Sequence, residues 1–143
     1  MIADSGADVC VAGMGWRILH VYDETFTLTG FSEDGPPITV PMVDAVAFAI
    51  DTERQSSGEG EALVLIGMKR AASLPNNRLS LMATFEARES RAMVNDLHPD
   101  HGGRPEIVVP AEDEGQEDRQ ISMTALGRYV GLHIIDTFLV DQI

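Results

Sequence analysis

Asp96-Leu97-His98-Pro99-Asp100-His101-Gly102-Gly103 is the densest group of chemistry-bearing side chains in this sequence. Imidazole and carboxylate are donors that divalent transition metals accept, so His98, Asp100 and His101 are the candidate metal ligands. A metal held there could activate water, and the chemistry would be hydrolysis. The competing explanation is structural. Proline and glycine end a helix, and a histidine beside a helix C-terminus meets the negative end of its dipole. Cys10 is the sole cysteine. Paired with His20 or His133 it would make a nucleophile and base, but no spacing supports that pairing. Between Val9 and Val11 it reads as a small core residue. His133, on an apolar stretch, reads as a buried histidine with a structural partner. Ser56-Ser57 lies in a polar segment without the nucleophile-elbow pattern. No cofactor is expected, and the balance of these residues is against an enzyme.

Two families share the 96–103 segment in part. It resembles the second half of the metallo-β-lactamase signature, in which His-x-Asp-His is followed by glycines, and that likeness implies a metal-dependent hydrolase. Asp96 stands where that family places its first histidine, and only His133 remains downstream to complete a ligand set. The same residues resemble the second helix and His-Pro-Asp loop of J-domain co-chaperones. That likeness implies docking of a heat-shock chaperone through His98, Pro99 and Asp100. The segment before it alternates like a strand rather than a first helix, and RPEIVVP after it lacks a third helix. The VCVAGMG run at residues 9–15 is similar to the start of a dinucleotide-binding turn. Ile18 occupies the third glycine position, and a strand pattern follows where a helix is required.

The elements that would position these residues form one domain, 1–143, since 143 residues can bury a core of their own. The hydrophobic fraction is 44% and the charged fraction 23%, ordinary for a globular chain. Ten basic residues against 23 acidic ones give a net charge of −13. Such a surface repels phosphate backbones and anionic lipid, so nucleic acid and membrane are disfavoured as partners. No apolar run approaches the roughly 20 residues a bilayer span needs. MIADSGADVC has neither a positive charge nor an apolar core, so no secretory signal is expected. With one cysteine no internal disulfide is possible, and a cytoplasmic or otherwise intracellular setting is expected.

Residues 37–52, PITVPMVDAVAFAIDT, organise the rest. Ile38, Val40, Met42, Val46, Phe48 and Ile50 fall on even positions, while the odd ones are mostly small. That alternation predicts a strand with its large face toward a core and its small face open to close packing. Asp44 interrupts the series and predicts a bulge. A helix over 42–53 is the competing reading, since alanines favour it. Residues 1–8 read as a flexible lead-in. Residues 16–22 and 25–31 read as a hairpin turning at Asp23-Glu24. Segments 62–69 and 78–85 read as further strands, and 106–109 as a short one. ERQSSGEGE at 53–61 reads as a polar loop. Residues 111–120 are an acidic loop, with five acids between 112 and 118. A helix is predicted over 86–97, capped by Thr84. A second is predicted near the C-terminus, over 123–140, weakened by Gly127 and Gly131.

The fold expected is therefore α+β: a mainly antiparallel sheet, or partly open barrel or roll, of five to seven strands with a helix near 86–97 and a C-terminal helix. A meander finished by a helix is similar to the pleckstrin-homology-like roll in topology alone, which carries no function. The function expected is non-enzymatic: a protein-interaction or assembly module, such as an adaptor, inhibitor or structural subunit. A protein partner or self-association would be met by the apolar tail, at Ile135, Phe138, Leu139 and Val140. The alternative is a small metal-dependent hydrolase at His98, Asp100 and His101. A third possibility is a sheet-lined pocket for a small ligand, with Trp16, Tyr22 and Phe26 as lining.

Overall fold

Three long strands carry most of the backbone pairing in the computed structural model, which describes residues 1–29, 35–58, 60–111 and 113–135. In chain order the first strands are β1 (Ile2–Asp4), β2 (Val11–Ala12), β3 (Arg17–Leu28) and β4 (Ile38–Ile50). Helix α1 (Thr52–Ser57), β5 (Leu63–Ser73), β6 (Leu81–Ala83) and helix α2 (Thr84–Glu89) follow. The chain continues through β7 (Met93–Asn95), β8 (Glu106–Val109), β9 (Arg119–Ser122), β10 (Thr124–Leu126) and β11 (Tyr129–Gly131). An eight-stranded sheet runs β10-β11-β1-β6-β2-β5-β4-β3, and β7-β8-β9 form a second, three-stranded one.

The large sheet is mixed. β1 runs parallel to β6 and β2 parallel to β5, while the β3-β4-β5 meander is antiparallel. Beyond the start of β3, Phe48 of β4 exchanges backbone hydrogen bonds with Ile135. The segment leaving β11 therefore returns to β4, and the sheet curls on itself.

The expectation of five to seven antiparallel strands with two substantial helices is thus corrected. The protein is mostly sheet, with two helices of six residues each among the described residues. The helix expected over 86–97 ends at Glu89. Arg91 then takes a left-handed backbone, φ 70, and the chain enters β7. The residues chosen as its buried face are not buried: Met93 is 69% exposed and Leu97 51%. Thr84 is buried rather than capping, and the cap position is Ala83. The helix expected over 123–140 is replaced, in its described part, by the β10-β11 hairpin. Gly127 turns that hairpin with φ +65, a conformation that a side-chain-bearing residue resists.

Two further differences have local causes. Residues 1–8, read as a lead-in, supply β1, which lies between β11 and β6; three residues are too few to show a period. Asp23-Glu24 do not turn a hairpin. Tyr22, Asp23 and Glu24 stand together opposite Met42, so the strand absorbs them as a bulge. The polar 53–61 segment begins as α1, because the Asp51 carboxylate accepts the Arg54 amide at 3.0 Å and caps it.

β4 is a strand as its alternation predicts, with a register shift at Asp44. Before that shift the large face is buried as expected, at Val40 and Met42; beyond it the small face is the more buried one. Ala45, Ala47 and Ala49 are almost wholly buried, whereas Val46, Phe48 and Ile50 are half-buried. Ala45 and Ala47 join Trp16, Val43, Met68 and Ala71 in one core cluster, and Ala49 belongs to a second. That second cluster joins Ala3, Met82, Val130 and Leu132 of the large sheet and its exit to Ile107 and Ile121 of the small one. Burying each of those isoleucines contributes about 1.5–3 kcal/mol.

Arg119 bolts the two sheets together. Its Nε donates to Asp51 at 2.7 Å, and its terminal nitrogen donates to the carbonyls of Glu61 and Leu63. Thr52 and Ser122 add a hydroxyl pair at 2.9 Å beside it.

Candidate functional site

β4 and β5 meet at a double irregularity that explains the first polar cluster. On the β5 side Lys69 and Arg70 both stand opposite Asp44, and on the β3 side Leu19 is the extra residue. The Asp44 carboxylate fills the gap, accepting the Arg70 amide at 3.0 Å and the Tyr22 hydroxyl at 2.9 Å. The Arg70 guanidinium lies 5.0 Å from the Tyr22 ring centre, and His20 packs edge-on against the same ring at 4.5 Å. Glu24 completes the group, 3.9 Å from Arg70. The Arg70 amide holds the Asp44 carboxyl below its ordinary pKa, although partial desolvation opposes this. The Tyr22 phenol is pushed up, chiefly because its proton is held by Asp44. The carboxylate thus sits in a fixed position on a bulged sheet, at one border of a cavity.

That cavity lies between the large sheet on one side and α2 with the small sheet on the other, and its volume is about 660 Å³. Trp16, Met68, Met82, Ile107, Ile121 and Leu132 form its apolar walls. Its polar side chains are Cys10, Glu86 and Ser90, with Asp44 and Lys69 contributed by the bulge. Leu19 and Leu65 also line it and are 62% and 56% exposed, so they mark its open side. β4 contributes the small Ala45 to this wall, beside Asp44 and Val46.

Cys10 is buried in this wall. Burial pushes its thiol up to about 12, with the Glu86 carboxylate adding to the effect, so it stays protonated and unreactive at neutral pH. Its neighbour is Glu86 and not a histidine. His20 is engaged with Tyr22, and His133 is exposed, which corrects the expectation that it is buried. Of the three residues named as pocket lining, Trp16 lines the cavity and Tyr22 and Phe26 do not.

The 98–103 segment is a tight exit loop. Pro99–His101 form one 3-10 turn, closed by Gly102. The Asp100 amide donates to His98 Nδ1 at 3.1 Å, so that nitrogen carries a lone pair. The Nε2–H then donates to the Gly127 carbonyl at 2.8 Å, tying the loop to the β10-β11 turn. The Asp100 carboxylate also approaches His98 Nδ1, at 3.6 Å. Both ring nitrogens are occupied, and the His98 and His101 ring centres are 6.5 Å apart. Among the described residues, no group of three or more His, Cys, Asp and Glu side chains is placed to hold a metal ion.

Ile135, named as an interaction residue, is half-buried and committed to its bridge with Phe48. Phe138, Leu139 and Val140 lie outside the described residues. Beyond Trp16, sequence reading missed the lining of the cavity, and it missed the Asp44 cluster, to which only the break at Asp44 in the alternation pointed; their side chains come from elements far apart in the chain. No helix among the described residues is long and apolar enough to cross a membrane. No protein-family model matches the chain, and no solved structure matches it significantly.

Proposed function

We propose that this protein is a non-enzymatic interaction module that takes up an extended, basic segment of a partner protein along β3. The observation that carries this reading is the position of β3: a strand of 12 residues at the end of the large sheet. Among the described residues no strand pairs with its outer side. An edge strand presents unpaired amides and carbonyls, and adding a strand to such an edge is a general mode of peptide recognition. The bulges at Leu19 and at Tyr22, Asp23 and Glu24 limit indiscriminate pairing. They leave residues 25–28 in unbroken register with β4, and the exposed Ile18 and Val21 stand on the same strand across the 22–24 bulge. The net charge of −13 favours a basic partner and works against pairing with a second, equally acidic copy.

The test is purification of the tagged chain from its native cell at moderate salt, with mass spectrometry of what stays bound. A stoichiometric basic protein is expected, released as salt rises. The Ile18→Lys, Val21→Lys double variant should lose it while melting as the parent does, because both side chains are exposed. Amide exchange over residues 25–28 should slow in the complex. A partnerless monomer, or a partner retained by the lysine variant, overturns the reading.

A further inference from the structure

We infer that the cavity between the large sheet and α2 with the small sheet binds a small, largely apolar molecule that carries one hydrogen-bond-donating group, placed against Glu86. Size comes first. A volume of about 660 Å³ lies within the range of roughly 300–1,000 Å³ seen for ligand sites. Filled with water instead, it would hold on the order of 20 molecules, each needing two to four polar partners. The side chains that could serve them are Cys10, Glu86, Ser90, Asp44 and Lys69. Asp44 is engaged elsewhere, held by Tyr22 and Arg70, and the buried Cys10 thiol is a weak partner for water. Trp16 offers only its ring, because its indole N–H donates to Ser80 at 2.9 Å. Water is therefore poorly satisfied here, and an apolar occupant displaces it favourably.

The chemistry of the occupant follows from the lining. Met68 and Met82 give a wall that adapts to shape, and Trp16 a flat face suited to a ring. Glu86 is the carboxylate on α2 that lines this space, and a carboxylate can accept several hydrogen bonds. An anionic head group would meet that carboxylate unfavourably, whereas an N–H or O–H donor would satisfy it. The exposed Leu19 and Leu65 on the open side give an apolar entry.

The experiment titrates the full chain with N-phenyl-1-naphthylamine, an uncharged aromatic probe with one N–H. Trp16 is the sole tryptophan and stands in the cavity wall, so quenching by energy transfer reports proximity. Saturable binding of one probe per chain is expected, with Trp16 quenched. Ala87→Leu and Ala92→Leu, each filling the cavity from its α2 side, should weaken binding about tenfold or more, with melting unchanged or raised. If one of these fails to melt cooperatively, the other decides. The ether analogue 1-phenoxynaphthalene, which lacks the donor, should bind the parent chain about fivefold less tightly or worse. Glu86→Leu should abolish that preference. Absence of saturable binding, undiminished binding by a folded leucine variant, or equal affinity for amine and ether overturns the inference.

Discussion

The Asp44 carboxylate reaches across the sheet to accept the Arg70 amide at 3.0 Å, and Arg70 holds a left-handed backbone with φ 53. The two facts are one device. A residue must bulge out of β5 for its amide to turn toward Asp44, and the left-handed turn of Arg70 allows it. That conformation costs a non-glycine residue roughly 1–2 kcal/mol. The same bulge sets Lys69 on the border of the cavity and Arg70 against Tyr22. Arg70→Gly and Arg70→Ala both remove the cation over the ring, but only glycine removes the backbone strain. The glycine variant should be more stable than the alanine variant by about 1 kcal/mol in urea unfolding. Equal stabilities would mean that the φ of Arg70 is not retained in solution.

A second prediction concerns acid. Burial alone would raise the Asp51 carboxyl, but the Arg54 amide and the Arg119 guanidinium outweigh it and lower the folded pKa below the ordinary 3.8. A depressed carboxylate contributes stability that is fully present above the unfolded value and is lost as pH falls through the folded one. Asp51→Asn keeps a residue able to cap α1 while removing the charge that Arg119 meets. Above pH 5 the variant should be less stable than the parent, and the gap should narrow as pH falls below the ordinary 3.8 and through the lowered folded pKa. A gap that stays constant down to pH 2 would show that the charge is not what Asp51 contributes.

How far these features were legible depended on the range of the interactions behind them. β4, its break at Asp44 and the β8 strand were readable because period-two alternation is local and tertiary packing only confirms it. The use of the two faces of β4 was readable only in part. Val40 and Met42 are buried as the large face requires, but past the bulge at Asp44 the alanines are buried, Ala45 and Ala47 with Trp16 and Met68, while Val46, Phe48 and Ile50 are half-buried. The 86–97 helix failed because Ser90, Met93, Val94 and Leu97 match a helical stripe by spacing, while Arg91 turns the chain out of it. The His98 loop was read as a helix exit, but α2 ends at Glu89 and the loop follows β7, tied to Gly127 29 residues away. Of the sheet-lined pocket only Trp16 was read correctly, since Cys10, Met68, Glu86, Ile107 and Leu132 meet only once both sheets are formed.

Ser80 supplies the last prediction. Its hydroxyl oxygen is buried and accepts two hydrogen bonds at 2.9 Å, from the Gly13 amide and from the Trp16 indole. The approach is close: a Cβ on Gly13 would come within 2.6 Å of the Asn77 carbonyl. The backbone at Gly13 therefore has no room to move toward water if its acceptor is removed. Ser80→Ala leaves two buried donors unpaired, each costing about 1–3 kcal/mol, so a loss of roughly 2–4 kcal/mol is expected. Because Trp16 is the only tryptophan, its emission should change in the folded variant, reporting the freed indole N–H directly. Ser80→Thr keeps the oxygen and should recover most of the emission, even where the added methyl costs stability. Parent-like emission in Ser80→Ala would mean that the indole does not depend on Ser80 for its position in the cavity wall.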